Sequence, residues 1–190
     1  MTLNIAKIAA ITGNDGATTQ ALLIEMATQS RACGARIVGV TAEGHGLPGR
    51  ACGAGFLREI ASGGAHTIYL EVPTSETSCH LDAAGVVSAG TAIVDQIPTS
   101  DLVILNKFGK LEAMGNGLAG AFAAAIAAGK PLLTAVSEKH RDAWRSFAPH
   151  AIFLTAEKTV LRDWWHAVRT GRQLEGQQLL GASQHSAVLR

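Results

Sequence analysis

The sequence predicts an α/β fold: a mostly parallel sheet with an inserted β-hairpin. Three observations carry that expectation. Strand-like and helix-like segments alternate along most of the chain, the pattern of helices crossing between parallel strands. The stretch Ser100-Asp-Leu-Val-Ile-Leu-Asn106 holds an unbroken apolar run, as expected for a strand covered on both faces. One segment breaks the alternation. Phe56–Ile60 and His66–Val72 both carry β-branched or aromatic residues, and Ser62-Gly63-Gly64 between them supplies a hairpin turn.

The first strand is expected over Lys7–Thr12 and the first helix over Thr18–Ala32. In that helix Leu22, Leu23, Met26 and Ala27 share a face, and Gly34 stands where a C-cap belongs. A second strand, Arg36–Thr41, leads into a glycine-rich loop, Glu43–Arg50. After the hairpin a loop runs to Asp82, the expected N-cap of a helix over Ala83–Gln96. Lys107–Glu112 then follows the apolar strand and should sit at the carboxyl edge of the sheet. A helix over Gly117–Ala128 stops at Gly129-Lys-Pro131. Strand Leu132–Val136, helix Glu138–Ala148, strand Ala151–Leu154 and helix Glu157–Arg169 complete the order. Residues 1–170 read as a single domain. Residues 171–190, rich in Gln, Gly and Ser with little periodicity, read as a flexible tail.

Composition narrows the function classes. The 190 residues suffice for one domain with a substantial core. Apolar residues make up 47% and charged residues 16%, a balance that disfavours disorder over most of the length. Sixteen Lys and Arg against fifteen Asp and Glu give no overall basic field, so nucleic acid is not an expected partner. No charged segment with a long apolar run opens the chain, and Leu118–Ala128 is too short to span a bilayer. A cytoplasmic protein without membrane insertion is expected. Cys33, Cys52 and Cys79 are odd in number and widely spaced, which fits neither a disulfide framework nor a zinc knuckle.

In open parallel sheets ligands bind beyond the carboxyl ends of the strands, so the loops there hold the candidate chemistry. The first reads Gly13-Asn14-Asp15-Gly16-Ala17-Thr18-Thr19, between an apolar strand and an apolar helix. That is the frame in which backbone N–H groups cradle an anion at a helix N-terminus. A working phosphate-binding loop reads G-x-x-x-x-G-K-[ST], with Lys on the outer phosphates and the hydroxyl on Mg²⁺. With Gly13 as its first glycine, the last three positions fall on Thr18, Thr19 and Gln20. The backbone cradle could survive, while the lysine and hydroxyl that drive phosphoryl transfer are absent. The helix N-terminus would favour an anion by roughly 0.3–1 kcal/mol, and Asp15 would oppose it. Taken alone, the loop also suits an ordinary glycine-rich turn between strand and helix.

The second candidate is Asn106-Lys107-Phe108-Gly109-Lys110-Leu111-Glu112. A phosphate-hydrolysing loop protein places a Mg²⁺-binding Asp at such a strand end. Here an amide and an ammonium stand there. Lys107 and Lys110 would supply the charge missing at Thr19, or else be solvated surface lysines. Asn106-Lys107 resembles the start of the guanine motif N-K-x-D, but Gly109 replaces the base-pairing Asp. In the Glu43–Arg50 loop Arg50 would clamp an oxyanion, and Glu43 and His45 are two metal-ligand types, short of a site. A flexible polar loop fits the same residues. Cys79 beside His80 reads as a small buried hydrophobe, or as a metal ligand or nucleophile needing distant partners. His140, Arg141, Trp144, Arg145, Trp164 and Trp165 fall on expected helices, where aromatics serve core or interface.

Together these residues resemble a bacterial family of unknown function related to the nucleoside-triphosphatases first seen in thermophiles. The resemblance is carried by Gly13–Leu23, the hairpin, Cys79-His80-Leu81-Asp82, Leu105–Ala113, Gly115-Asn-Gly-Leu118, Leu133–Glu138 and Asp142-Ala-Trp144. It extends from Ile8 to Leu154 and implies a three-layer P-loop-NTPase-like domain. Members are often encoded beside molybdate transport genes. The related triphosphatases carry an Asp-Glu pair at the strand end where Asn106 and Lys107 stand here. Thr19, Gln20, Asn106 and Lys107 therefore all depart from the hydrolytic pattern.

The expected ligand is a small anion, a nucleotide or molybdate. Its expected binding set is Gly13, Asn14, Asp15, Gly16, Ala17, Thr18, Thr19, Asn106, Lys107 and Lys110, with no catalytic or metal-ligating residue assigned. Three functions are open at this point. The first is anion binding with little or no hydrolysis, linked by the resemblance to molybdenum uptake or use. The second is slow nucleoside-triphosphate hydrolysis using Lys107 or Lys110. The third is an interaction module with a vestigial site, acting through a surface near Trp144, Trp164 and Trp165. Low charge and apolar helices are compatible with a homodimer.

Overall fold

The computed structural model describes residues 6–13, 15–46, 54–70 and 80–171. Its sheet has seven strands: β1 (Ile8–Thr12), β2 (Ile37–Gly44), β3 (Ala54–Glu59), β4 (Ala65–Thr67), β5 (Leu102–Leu105), β6 (Leu132–Ala135) and β7 (Ile152–Thr155). They lie in the order β4-β3-β2-β5-β6-β1-β7. The five strands from β2 to β7 pair in parallel. The β3–β4 hairpin adds antiparallel to the outside of β2. The expected mostly parallel α/β sheet with its hairpin is thus the architecture found, and it is P-loop-NTPase-like.

Helices cover both faces. They are α1 (Gly16–Ala32), α2 (Ala83–Val94), α3 (Lys110–Ala113), α4 (Ala119–Ala127), α5 (Arg141–Phe147) and α6 (Lys158–Thr170). Burial on two faces follows from the period of two along a strand. In β5, Leu102 and Ile104 join a core with Leu23 and Met26 of α1 and Leu161, Trp164 and Trp165 of α6. Val103 and Leu105 join the opposite core with Ile93 of α2, Phe122 of α4 and Trp144 of α5. Three layers result. Gly39 lets β2 lie against β5: its φ is +140°, and a Cβ there would stand 1.8 Å from the Ile104 carbonyl oxygen.

Several boundaries differ from expectation for local reasons. Helix α1 begins at Gly16 rather than Thr18, because Asp15 caps it. Strand β2 continues to Gly44, so Glu43 and Gly44 pair with β3 instead of opening a loop. There Glu43 is held by Arg58, whose hydrogen bond and charge lower its pKa, so it is not a loop carboxylate waiting for a metal. The second hairpin arm is only Ala65–Thr67. The expected helix over Glu138–Ala148 is a 3-10 turn, Glu138–His140, followed by α5. Asn14, Arg50, Cys52, Cys79 and residues 172–190 lie outside the described residues.

Candidate functional site

At the end of β1 the chain turns through Gly13, whose φ of +91° suits glycine. Asp15 then closes the first turn of α1 on itself. One carboxylate oxygen accepts the Thr18 N–H at 2.9 Å, and the other accepts the Thr18 hydroxyl at 2.7 Å. The Thr19 N–H and hydroxyl both donate to the Asp15 carbonyl, at 3.1 and 2.9 Å. The Asp15 pKa is lowered, first by the Thr18 N–H and then by its hydroxyl. Gly16 and Ala17 form the helix start rather than an open loop. Donors at Thr18 and Thr19 are thus engaged by the loop's own oxygens.

One turn further, Gln20 ties three elements together. Its amide N–H donates to the Asn106 side-chain oxygen and lies 3.4 Å from the Asn106 carbonyl. Its amide oxygen accepts the Ala42 N–H from β2 at 3.0 Å. Gln20 and Asn106 occupy the two positions at which a hydrolytic loop holds Mg²⁺ between a hydroxyl and a carboxylate. Here the two side chains bond directly to each other.

Asn106 is buried at the end of β5, while Lys107 and Lys110 are exposed. Between them Phe108 turns inward and meets Trp144 and Phe122 edge-on, with ring centroids 5.1 and 5.7 Å away. The short α3 is held by Glu112, which is buried. Its carboxylate accepts the Gly109 N–H at 2.9 Å and the Leu118 N–H at 3.0 Å. Glu112 therefore fixes the loop that carries both lysines.

The strand order brings in residues absent from the expected set. β6 lies between β1 and β5, so the turn after it, Ser137–His140, emerges between the Gly13 and Lys107 loops. Ser137 Oγ lies 3.0 Å from His140 Nδ1. Sequence reading placed His140 on a helix and gave it no site role, because strand adjacency leaves no local signal. Gln20 was legible as a departure from the Mg²⁺-binding hydroxyl, but its bond to Asn106 needed the fold.

Other expected features are engaged structurally. Asp82 caps α2 through the Ala84 N–H at 3.0 Å. His80 Nδ1 lies 2.8 Å from the Leu70 carbonyl, and its ring stacks on Tyr69. Trp144, Trp164 and Trp165 are buried, the first in one core and the others in the opposite one. They form no common surface, which corrects the expectation of a partner-binding face there. No helix among the described residues is long and apolar enough to cross a membrane.

Sheet order, covering helices and the glycine-bearing turn at the end of β1 define a P-loop-like α/β domain. The chain belongs to a family described as proteins of unknown function (DUF2478), whose profile matches residues 8–164. It is similar to the molybdenum import ATP-binding protein ModC 2 of Bradyrhizobium diazoefficiens, 37% identical over 147 residues. That match covers 76% of this chain and 16% of the relative, so the chain spans about a sixth of that protein's length. No solved structure matches it significantly.

Proposed function

We propose that this protein binds an anion, a nucleotide or a molybdate-type oxyanion, with little or no hydrolysis, in the uptake or use of molybdenum. The ligand would sit at the carboxyl edge of the sheet, between the Gly13–Thr19 turn and the Asn106–Lys110 loop. The observation that carries this reading is the amide pair of Gln20 and Asn106. Mg²⁺ demands near-octahedral oxygen ligation and takes carboxylates readily. Two amides bonded to each other offer neither the charge nor the open position. Lys107 and Lys110, exposed beside them, favour an anion that brings no metal. The link to molybdenum is supported by the name of the relative, which shares only part of its length with this chain.

The test is a thermal-shift screen with ATP, ADP, GTP, phosphate, sulfate, molybdate and tungstate, each with and without Mg²⁺. A ligand at 100 times its Kd stabilises by about 2.7 kcal/mol, a readable shift. A shift that ignores Mg²⁺ and disappears in Lys107→Glu is expected. A shift that requires Mg²⁺, with phosphate release abolished in Lys107→Ala, would replace this reading with slow hydrolysis.

One observation favours a second reading. The Asp15 carboxylate takes the Thr18 donors that an anion would use. A vestigial site on an interaction module fits that arrangement. It predicts no shift with any anion, and a homodimer or another defined complex by size-exclusion chromatography with light scattering.

A further inference from the structure

The turn after β6 is fixed from both sides. The Val136 N–H donates to the Ile11 carbonyl at 3.0 Å, and the Phe108 N–H donates to the Ala135 carbonyl at 2.9 Å. A bridge also pairs Phe108 with Val136. The chain therefore leaves the sheet at Ser137 with the Gly13 turn on one side and Lys107 on the other. The Ser137 contact ties the His140 ring to the base of this turn.

The charges around that ring come from three places. Lys139 lies on the same turn, Lys107 comes from the end of β5, and Glu112 comes from α3. The carboxylate of Glu112 is already committed to two backbone N–H groups. Burial, then Lys139, then Lys107 push the His140 pKa down, and Glu112 opposes them.

We infer that this turn is the third wall of the anion site, and that His140 takes up a proton when an oxyanion settles beside it and Lys107. The inference rests on the anion-binding reading above. A bound dianion offsets the two ammonium charges that, after burial, hold the proton off the ring. The imidazolium then gives the oxyanion a charge-assisted hydrogen bond. The sign follows from linkage. The ring's pKa is higher with the anion bound than without it, so affinity falls as pH rises between those two values. One proton gives a slope of at most about tenfold per pH unit, and outside that window His140 adds none.

Calorimetric titration with sodium molybdate tests this, with sulfate alongside, in two buffers of different ionisation enthalpy from roughly pH 6 to pH 8. Proton uptake on binding is expected, with Kd rising toward alkaline pH. His140→Gln, checked for an unchanged melting temperature, should bind more weakly at the acid end and take up no proton. In the free protein, NMR should show the His140 ring titrating at higher pH once Lys107→Glu removes its neighbour's charge. Binding without proton uptake, identical in His140→Gln, overturns the inference and leaves the anion-binding reading intact. An unmoved His140 titration in Lys107→Glu also overturns it. No binding at any pH overturns both.

Discussion

The two loops flanking the end of β6 hold their shape by different means. The turn after β1 is closed by local hydrogen bonds, chiefly between Asp15 and Thr18 and Thr19. The loop after β5 is anchored in the core. Phe108 packs into the aromatic cluster of Phe122, Trp144 and Phe147, and Glu112 pins the backbone at Gly109 and Leu118. In the first loop the Asp15 carboxylate takes the Thr18 N–H and hydroxyl at the start of α1. The second carries an amide at the strand end and two exposed lysines, Lys107 and Lys110, on a backbone held by Glu112.

The largest expected effect comes from unmooring the second loop. Phe108→Ala should lower the unfolding free energy by about 3–5 kcal/mol in urea titrations, the usual cost of emptying a packed aromatic site. Anion affinity should fall with it. Full affinity in a destabilised protein would mean that core anchoring does not place Lys107.

Glu112→Ala comes next. It leaves the N–H groups of Gly109 and Leu118 without their carboxylate partner. An unsatisfied buried donor costs about 1–3 kcal/mol, so with two donors left a loss at the upper end of that range or beyond is expected. Glu112→Gln should recover part of it, since its amide has one acceptor oxygen in place of two. A denaturation midpoint equal to wild type in Glu112→Ala would refute the anchoring role.

Asp15→Asn separates shape from charge in the first loop. Asn caps helices as well as Asp does, so the melting temperature should barely change. Anion affinity should rise, because the competing carboxylate is gone. Weaker binding would show that Asp15 supports the ligand instead of opposing it.

The smallest effect is a response to acid. The folded-state pKa of Asp15 lies below its ordinary value of about 3.9. Its capping contribution is complete above that ordinary value and is lost as pH falls through the lower folded one. Amide exchange at Thr18 should therefore quicken in strong acid before exchange in β5 does. Simultaneous loss in both places would erase the distinction between the loops.

Much of this fold was legible without coordinates. Alternating segments, the apolar run of β5 and the Ser62-Gly63-Gly64 turn read correctly because each depends on neighbours in the chain. The missing lysine at Thr19 and the amide at Asn106 were equally legible, since they are departures from a linear motif. The early start of α1 was missed because the N-cap carboxylate of Asp15 outcompeted the expectation of an open loop. Glu43 was read as part of a loop because its pairing partner lies across a hairpin.

The sequence by itself determined the fold class, the two-sided burial of the parallel strands and the departures from a linear phosphate-loop motif. Those properties follow from side-chain period and residue chemistry, which are local. Only the tertiary structure decided that β6 separates β1 from β5, that Gln20 bonds Asn106, and that the Ser137–His140 turn leaves the sheet between the loops after β1 and β5. Strand order is set by how helices pack on both faces and by which registers bury the most apolar surface. That is a property of the whole sheet, and no single segment encodes it.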